Sequence, residues 1–289
     1  MKVALLGATG MLGSEMLEQC RARGHEVVAP VRAEVDLTSP AGLERFFQNN
    51  KFEALVNCAG FSRVDDCEEP APYAQALAVN ATAPGWLAKF CKKAGSLLVH
   101  YSTDYVFDGE KEGPYLETDE PNPLNAYGRT KWMGERAILD QGPAFYLIRT
   151  SWLYGPRGKN FVKTLAGLLK TRGRGEVVDD QRGAPTSTKD LAEFTLELLE
   201  GKAEKGLYHF SNSGETTRYG AALEIQKRMG LGGCEIIPVP SGKNPRPARR
   251  PANSRFNLDK ATCAWGRPIR PWKEALKDYL EKDLPRETA

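Results

Sequence analysis

The start of the chain constrains its fold more than any other stretch. Residues 2–7 form an apolar run of strand length, and the sequence Gly7-Ala8-Thr9-Gly10-Met11-Leu12-Gly13 follows at once. A chain that turns directly from a buried strand into a helix needs residues without side chains, and the free N–H groups of the helix start attract phosphate. This position predicts a dinucleotide site, and a tight turn without a ligand is the alternative. The residues predicted to contact the cofactor here are Gly7, Thr9, Gly10, Met11, Leu12 and Gly13.

Apolar runs of strand length alternate with amphipathic helical segments through residues 1–150. We expect strands over residues 2–7, 26–31, 54–60, 97–103 and 144–150, and helices over residues 11–23, 39–49, 72–93 and 126–141. Strands that are apolar throughout belong to parallel sheets covered by helices on both faces. The predicted fold class is therefore α/β, a doubly wound parallel sheet of the Rossmann type whose ligand lies at the carboxyl ends of the strands.

The pattern becomes less regular after Ser151. We expect helices over residues 160–170, 188–200 and 218–229, strands over 207–210 and 235–239, and loops over 155–158, 172–175 and 238–251. The chain is therefore predicted to divide into an NAD(P)-binding domain over residues 1–150 and a smaller C-terminal substrate-binding region over residues 151–289, interleaved with the last strands of the sheet. The residues after Leu284 are expected to fray.

Composition argues against several classes of protein. The 40 basic and 37 acidic residues leave a net charge of +3, which gives no reason to expect nucleic acid or a membrane as a partner. The apolar runs are too short to span a bilayer, and the first of them turns into glycines too early for a signal peptide. The six cysteines form no CxxC pair and the three histidines lack metal-ligand spacing, so we expect free thiols, no metal site and a cytoplasmic location.

Arg32 follows the second predicted strand, where the adenosine ribose of a bound dinucleotide lies. An acidic residue there binds the ribose 2′-hydroxyl, whereas an arginine favours a 2′-phosphate. Arg32 therefore predicts NADPH, with NADH as the alternative and a solvated surface arginine as the interpretation without a ligand. The further residues predicted to line the cofactor site are Asp36 and Leu37, which could line the adenine pocket, and Cys58, Ala59 and Gly60, which follow the third strand.

Tyr127 and Lys131 lie four residues apart at the start of a predicted helix, which places them on one face. Reduction of a ketone by hydride needs an acid that protonates the nascent alkoxide. A nearby ammonium and the positive end of the helix improve a tyrosine as that acid. The hydroxyl-rich strand end Tyr101-Ser102-Thr103-Asp104 precedes the pair, and a hydroxyl there can bind the substrate oxygen. An exposed helix pair without chemistry is the alternative.

With these motifs, the chain resembles the extended short-chain dehydrogenase/reductase superfamily and, within it, the dTDP-4-dehydrorhamnose reductases. The resemblance covers nearly the whole sequence. The matching segments are residues 7–13, 57–68, 102–109, 127–131, 149–155, 159–161 and 248–256. It implies reduction, with NADPH, of the 4-keto group of dTDP-4-dehydro-L-rhamnose to give dTDP-L-rhamnose.

The resemblance also implies a catalytic triad of Thr103, Tyr127 and Lys131. Tyr127 would donate the proton, Lys131 would bind the nicotinamide ribose and tune Tyr127, and Thr103 would orient the keto oxygen. Asn80 matches a position near the nicotinamide, with a packing role as the alternative. Sugar-nucleotide 4,6-dehydratases carry an Asp-Glu pair after the catalytic hydroxyl, whereas Asp104 is followed here by a tyrosine, so simple reduction fits better.

The substrate is expected to contact residues from both halves of the chain. Trp152 is predicted to stack on it or pack against it, and an arginine is predicted to bind its diphosphate because the guanidinium suits bidentate phosphate contacts. The predicted substrate-binding residues are Thr103, Asp104, Trp152, Asn160, Arg249 and Arg255. A solvated charged loop is the alternative for the arginines. Some relatives use magnesium at a subunit contact, for which Glu15 is a candidate, but we expect Glu15 to be a solvated helix residue.

The sequence is also compatible with two other functions. The regulatory β subunit of methionine adenosyltransferase resembles these reductases and binds NADP without an established need for turnover. A reductase or epimerase of another nucleotide sugar would carry similar residues. An intact Thr103, Tyr127 and Lys131 set favours catalysis. A dTDP-sugar is the predicted small-molecule partner, and a homodimer is left open.

Overall fold

A six-stranded, fully parallel sheet lies at the centre of the molecule, which confirms the predicted fold class. The computed structural model describes residues 1–284. The strands are β1 (Lys2–Leu6), β2 (Glu26–Val28), β3 (Ala54–Asn57), β4 (Leu97–Thr103), β5 (Phe145–Thr150), β6 (Leu153–Tyr154), β7 (Arg174–Val178), β8 (Arg182–Gly183), β9 (Thr186–Ser187), β10 (Gly206–Phe210), β11 (Thr216–Thr217) and β12 (Glu235–Val239). The helices are α1 (Met11–Ala22), α2 (Pro40–Asn49), α3 (Pro70–Leu77), α4 (Ala83–Ala94), α5 (Ala126–Gln141), α6 (Phe161–Arg172), α7 (Thr188–Glu200), α8 (Arg218–Arg228), α9 (Asp259–Trp265) and α10 (Trp272–Asp278).

The central sheet is covered on both faces, as its continuous apolar strands require. Successive side chains of β1 point to opposite faces. Val3 and Leu5 pack in a cluster with residues of α1 and α7. Ala4 and Leu6 pack in a second cluster with residues of α2 and α4. Each face therefore buries its own apolar layer, and the sheet has helices on either side.

The strand order β10-β5-β4-β3-β1-β2 fixes where a ligand can enter. From β1 the chain crosses to β2 on one side and then returns to β3 on the other side of β1. The connections after β1 and β3 therefore diverge and leave a crevice at the carboxyl ends of these two strands. The glycine-rich turn after Leu6 and the segment after Asn57 lie at this crevice.

In the first half of the chain, the structure differs most from the prediction in the ends of two strands and in one long helical segment. β2 ends at Val28 and β3 at Asn57, three residues earlier than predicted in each case, because the chain leaves the sheet there to form the crevice wall. The stretch predicted as one helix contains a π-helical turn at Ala78–Thr82 between α3 and α4. Pro84 has no N–H to donate to the carbonyl of Asn80, which removes one α-helical hydrogen bond at this turn.

The second half of the chain contributes to the central sheet and also forms a separate apolar cluster. β10 pairs with β5 at the edge of the sheet, and α7 packs on its face. Val162, Val177, Ile225 and Leu276 belong to a separate cluster formed by α6, β7, α8 and α10. The division into domains at residue 150 stays a prediction.

Two loops predicted in this half are partly strand. Residues 174 and 175 were expected in a loop but begin β7, because β12 pairs with them in parallel and supplies backbone partners. Gly173 adopts a left-handed φ of 63° and ends α6, so helix and strand meet within one residue. Pro238 and Val239 were predicted both in a strand and in a loop, and they belong to β12, which confirms the strand predicted over residues 235–239. β12 is an edge strand, where a proline is tolerated. The expectation for residues after Leu284 lies outside the described part of the chain.

Across residues 1–284, no helix has the length and the apolar character that crossing a membrane requires.

Candidate cofactor cleft and active site

A cleft of about 660 Å³ opens at the carboxyl ends of β1 and β3. It is bounded by the glycine turn, by the segment that follows β2 and by the segment that follows β3. Nine of the residues predicted to bind the cofactor line it: Gly7, Thr9, Gly10, Arg32, Asp36, Leu37, Cys58, Ala59 and Gly60. Residues that are far apart in sequence thus meet at the crevice predicted from the strand order.

The glycine turn is shaped by two close backbone contacts. Gly7 has a φ of 78°, and a Cβ added to it would lie 2.6 Å from the backbone nitrogen of Ala59. A Cβ on Gly13 would lie 2.0 Å from the carbonyl oxygen of Gly7. Side chains are therefore excluded at both positions, and the backbone is left open to a ligand at the start of α1.

Three predicted cofactor residues lie behind the cleft rather than along it. Leu12 is buried in the apolar cluster under the sheet, and Gly13 packs against Gly7. Met11 is the first residue of α1, and its side chain lies against Gly158 from the second half of the chain. Met11, Leu12 and Gly13 therefore support the turn from behind, whereas Thr9 and Gly10 line the cleft itself.

Four arginines line the cleft, of which the sequence argument identified one. Besides Arg32, these are Arg21 from α1, Arg63 after β3 and Arg157 from the loop after β6. Arg63 pairs with Asp66 at 3.0 Å and stacks over Phe61. Arg157 could not be linked to the cofactor turn from sequence spacing, because only the folded chain brings the two together. The positive lining suits a ligand with several phosphates.

The start of α5 is fixed to its surroundings, which places Tyr127. Asn125 caps the helix by accepting a hydrogen bond from the Gly128 N–H at 2.8 Å. The same side chain donates to the Arg249 carbonyl at 2.6 Å. A Cβ on Gly128 would lie 2.1 Å from the carbonyl oxygen of Tyr105, so α5 approaches the end of β4 backbone to backbone. The ring of Tyr127 lies edge-on to that of Tyr105, with centroids 6.0 Å apart.

The pKa of Tyr127 is raised, opposite to the direction expected from a nearby ammonium. Burial is the main cause, and the negative charge of Asp104 adds to it, while the Thr103 hydroxyl opposes it. Asp104 directly follows Thr103 at the end of β4, and the sequence did not show that its charge would act on Tyr127. In the protein alone, Tyr127 therefore holds its proton firmly at neutral pH.

Lys131 lies one turn further along α5 and is buried. Its ammonium donates to the Tyr101 carbonyl at 2.6 Å and lies 3.4 Å from Nε2 of His100. Burial lowers the pKa of Lys131 to about 8, and the carboxylate of Glu135 opposes that effect. A lysine with this pKa changes charge close to neutral pH.

Thr103 and Asp104 lie side by side at the end of β4. The Thr103 hydroxyl donates to Oδ1 of Asp104 at 3.0 Å and accepts from the Tyr105 N–H at 3.2 Å. Among the described residues, Oδ2 of Asp104 has no hydrogen-bond partner although it is buried. Burial raises the pKa of Asp104 to about 6, while nearby hydroxyls and the charge of Arg218 lower it. An unpartnered buried oxygen next to a candidate catalytic hydroxyl is an acceptor available to a substrate.

Arg218, a residue that the sequence argument missed, faces the same place. Its guanidinium lies 3.7 Å from the ring centroid of Trp152 and interacts with Tyr105 and Asp104. Burial lowers the pKa of Arg218. Trp152 adopts a φ of 47°, which is uncommon for a residue with a side chain, and its indole fills the space where Gly183 lacks a Cβ. The strained backbone therefore holds an aromatic platform on which Arg218 stacks.

Of the remaining predicted substrate residues, Asn160 and Arg255 have side-chain partners. The Asn160 side chain accepts from the Lys163 N–H and donates to the Gly155 carbonyl, both at 3.0 Å, so it caps α6. Arg255 pairs with Glu215 at 2.6 Å and with Oδ1 of Asn253 at 2.9 Å. Arg249 is exposed, and its backbone carbonyl accepts a hydrogen bond from the Asn125 amide.

Asn80 and Glu15 have surroundings that the sequence could not show. The Asn80 amide accepts from the Phe61 N–H at 2.8 Å and donates to the Phe61 carbonyl at 2.9 Å, so it fastens the cleft wall. Glu15 is 9% exposed rather than solvated, because α1 packs against α7, and Gln19 donates to its carboxylate at 2.7 Å. Within residues 1–284 no group of three or more His, Cys, Asp or Glu side chains could hold a metal ion.

Known proteins are similar to this chain over nearly its whole length. Residues 1–284 match the family model of the RmlD substrate binding domain. The chain is 38% identical over 281 residues to a dTDP-4-dehydrorhamnose reductase of Mycolicibacterium smegmatis, covering 96% of this chain and 85% of the relative. It is similar to the crystal structure of a dTDP-4-dehydrorhamnose reductase of Clostridium acetobutylicum, with a TM-score of 0.93, 39% identity and coverage of 97% and 99%. It is also similar to the Bacillus anthracis dTDP-4-dehydrorhamnose reductase in complex with NADP, with a TM-score of 0.92, 30% identity and the same coverage.

Proposed function

The chain belongs to the dTDP-4-dehydrorhamnose reductases, which are NAD(P)-dependent oxidoreductases, and from this premise we propose that it reduces the 4-keto group of dTDP-4-dehydro-L-rhamnose to give dTDP-L-rhamnose. The observation that carries the proposal is that Tyr127 and Lys131 of α5 both meet the end of β4 next to the cleft. Tyr127 meets it at the Thr103 hydroxyl, and Lys131 meets it at the Tyr101 carbonyl. An acid, a hydroxyl that orients the substrate and a buried amine are the groups that such a reduction requires.

The cleft fits NADPH as the cofactor. Gly7 and Gly13 leave room for a pyrophosphate at the helix start, and Arg32 lies where a 2′-phosphate would be bound. Lys131 would bind the nicotinamide ribose. NADPH supplies the hydride when it is bound. NADH is the alternative cofactor, and Arg32→Glu distinguishes the two: we expect the ratio of kcat/KM for NADPH to that for NADH to fall, and an unchanged ratio would contradict the role of Arg32.

Tyr127 is the proposed proton donor. Its raised pKa keeps the hydroxyl protonated until negative charge develops on the substrate oxygen, which the Thr103 hydroxyl orients. The ammonium of Lys131 stabilises the tyrosinate that remains after the proton has moved.

The substrate diphosphate is proposed to bind Arg218. Two other arginines of the second half already have carboxylate partners: Arg255 pairs with Glu215, and Arg250 binds Asp65 with two nitrogens. Among the described residues, no carboxylate forms a salt bridge with Arg218, although burial lowers its pKa. A desolvated guanidinium that forms no salt bridge gains from an anionic ligand. Oδ2 of Asp104 is proposed to accept a hydrogen bond from a sugar hydroxyl.

The test is NADPH oxidation followed by absorbance. The substrate is made in situ from dTDP-glucose with the dehydratase and the 3,5-epimerase, and Tyr127→Phe runs in parallel. We expect rapid oxidation by the natural enzyme and a kcat lower by about 10²-fold or more in the variant, because its proton donor is gone while NADPH binding is kept. Tight NADPH binding without oxidation would refute this substrate and favour another keto sugar or a regulatory role.

A further inference from the structure

Asn57 and His100 form a buried polar pair directly beneath the candidate active site. They are paired in register on the neighbouring strands β3 and β4. Each is 1% exposed. Nδ2 of Asn57 lies 3.1 Å from Nδ1 of His100, and Nε2 of the same ring lies 3.4 Å from the ammonium nitrogen of Lys131. The two residues thus connect the segment after β3 to the buried lysine of α5.

A backbone group fixes the orientation of the Asn57 amide. Oδ1 of Asn57 accepts a hydrogen bond from the Ala59 N–H at 3.1 Å. A backbone N–H can only donate, so the oxygen of the amide must face Ala59 and its NH₂ must face His100. Turning the amide over would set two donors against each other and leave the Ala59 N–H unpaired.

The amide orientation in turn fixes the tautomer of the imidazole. Nδ1 of His100 must accept from the Asn57 NH₂, so the proton of a neutral ring sits on Nε2. Burial and the charge of Lys131 lower the pKa of His100 well below its ordinary value, which keeps the ring neutral. The Nε2–H therefore points at the nitrogen of Lys131. Because Nε2 carries a proton, it cannot accept a hydrogen bond from the lysine ammonium.

We propose that Asn57 and His100 are positioning residues for Lys131: the amide holds the imidazole as its Nε2–H tautomer, and this N–H turns the lysine ammonium toward the Tyr101 carbonyl and disfavours its charge. The proposal rests on the role of Lys131 in the proposed function. The segment that carries Ala59 lines the cofactor cleft, so the same chain of contacts joins the cleft wall to Lys131.

The other ionisable groups near Lys131 either have partners of their own or are neutral. Glu135 follows it on the same face of α5, and its carboxylate pairs with Arg149 of β5 at 2.6 Å. Tyr127, with its raised pKa, is neutral. The Tyr101 hydroxyl lies 2.8 Å from Thr195 and does not face the lysine nitrogen. The imidazole N–H is thus the polar group beside Lys131 whose direction is set by its own neighbour, Asn57.

His209, the other buried histidine, provides a comparison for the tautomer of His100. Nδ1 of this buried ring lies 3.0 Å from the Tyr115 carbonyl, so it must donate, and Nε2 accepts from the guanidinium of Arg149 at 3.4 Å. His209 should therefore carry its proton on Nδ1. The two buried histidines of one protein are expected to be opposite tautomers, each facing a cation.

The first experiment is NMR of the full chain labelled with ¹⁵N-histidine, recorded without substrate. With three histidines in the chain, three ring systems appear, and His100→Gln and His209→Gln assign the buried two. We expect a protonated Nε2 in His100 and a protonated Nδ1 in His209. A protonated Nδ1 in His100 overturns the proposal. This measurement needs no turnover, so it remains decisive even if the proposed substrate is wrong.

The second experiment reverses the tautomer with Asn57→Asp. A carboxylate still accepts from Ala59 but can only accept from His100, so the ring should become protonated on Nδ1 and offer its Nε2 lone pair to Lys131. With the ammonium now stabilised by this lone pair and by the added negative charge, we expect the alkaline limb of the kcat/KM profile to move up by about one pH unit. The His209 signals are the control and should not change. A reversed tautomer without movement of the alkaline limb refutes the positioning role.

Discussion

Gly13→Ala tests how closely the cofactor turn depends on one backbone contact. The added Cβ would lie 2.0 Å from the carbonyl oxygen of Gly7 and 2.7 Å from its carbonyl carbon. Carbon–oxygen contacts need about 3.3 Å, so the turn and α1 must separate by more than about 1 Å. Displacements of this size can cost about 10²-fold where a site depends on position, and we expect the NADPH dissociation constant to rise by about that factor.

The assay is NADPH binding by calorimetry, together with urea unfolding. Gly167→Ala is the matched control, because Gly167 lies within α6 and nothing comes within 4 Å of an added Cβ. There the alanine should stabilise the protein by about 0.5–1 kcal/mol through helix propensity and leave NADPH affinity unchanged. If Gly13→Ala bound NADPH as tightly as the natural chain, the turn would not be the positional constraint that the structure indicates.

Three further perturbations test the active-site region. Glu135→Gln removes the carboxylate from the buried pair with Arg149 and should lower the free energy of unfolding by about 3–5 kcal/mol, measured in urea; a loss below 1 kcal/mol would contradict the burial argument. Asp104 keeps its proton longer in the folded chain than in the unfolded one, so the unfolding free energy should fall by about 3 kcal/mol as pH rises from below 3.8 to above 6. Asp104→Asn should remove that part of the pH dependence, and an unchanged slope would exclude Asp104 as its source. Arg218→Gln should weaken binding of dTDP by about tenfold or more but not that of thymidine, and equal effects on both would refute a phosphate contact.

The sequence predicted the elements that are built from local patterns. Strand β4 and helices α5 and α7 have the predicted bounds, because continuous apolar runs and helical periodicity extend to their ends. The Gly7 turn could be placed in advance because a tight strand-to-helix connection has few residue choices. The early end of β2 could not be predicted, because apolar residues continue past Val28 and line the cleft instead of the sheet.

Residues whose role depends on distant partners were missed for a physical reason. Arg218 begins a helix 66 positions after Trp152, and only the folded chain stacks one on the other. His100 looks like one more residue of an apolar strand until Asn57 is placed beside it. The direction of the Tyr127 pKa shift was missed for the same reason: sequence spacing shows Lys131 four residues away but not how strongly burial opposes charge.

These contacts explain how α5 can hold its residues in register with the sheet. Lys131 and Glu135 lie four residues apart on its inward face, and each is tied to the sheet by a polar contact, the first to Tyr101 and the second to Arg149. Polar contacts have narrow geometry, whereas apolar packing tolerates exchange of similar volumes. The apolar cores therefore supply most of the stability, while the register of α5 depends on a few buried hydrogen bonds. A substitution that repacks the core should lower stability at nearly constant kcat, whereas one that alters these contacts should change kcat and its pH dependence even in a protein that stays folded.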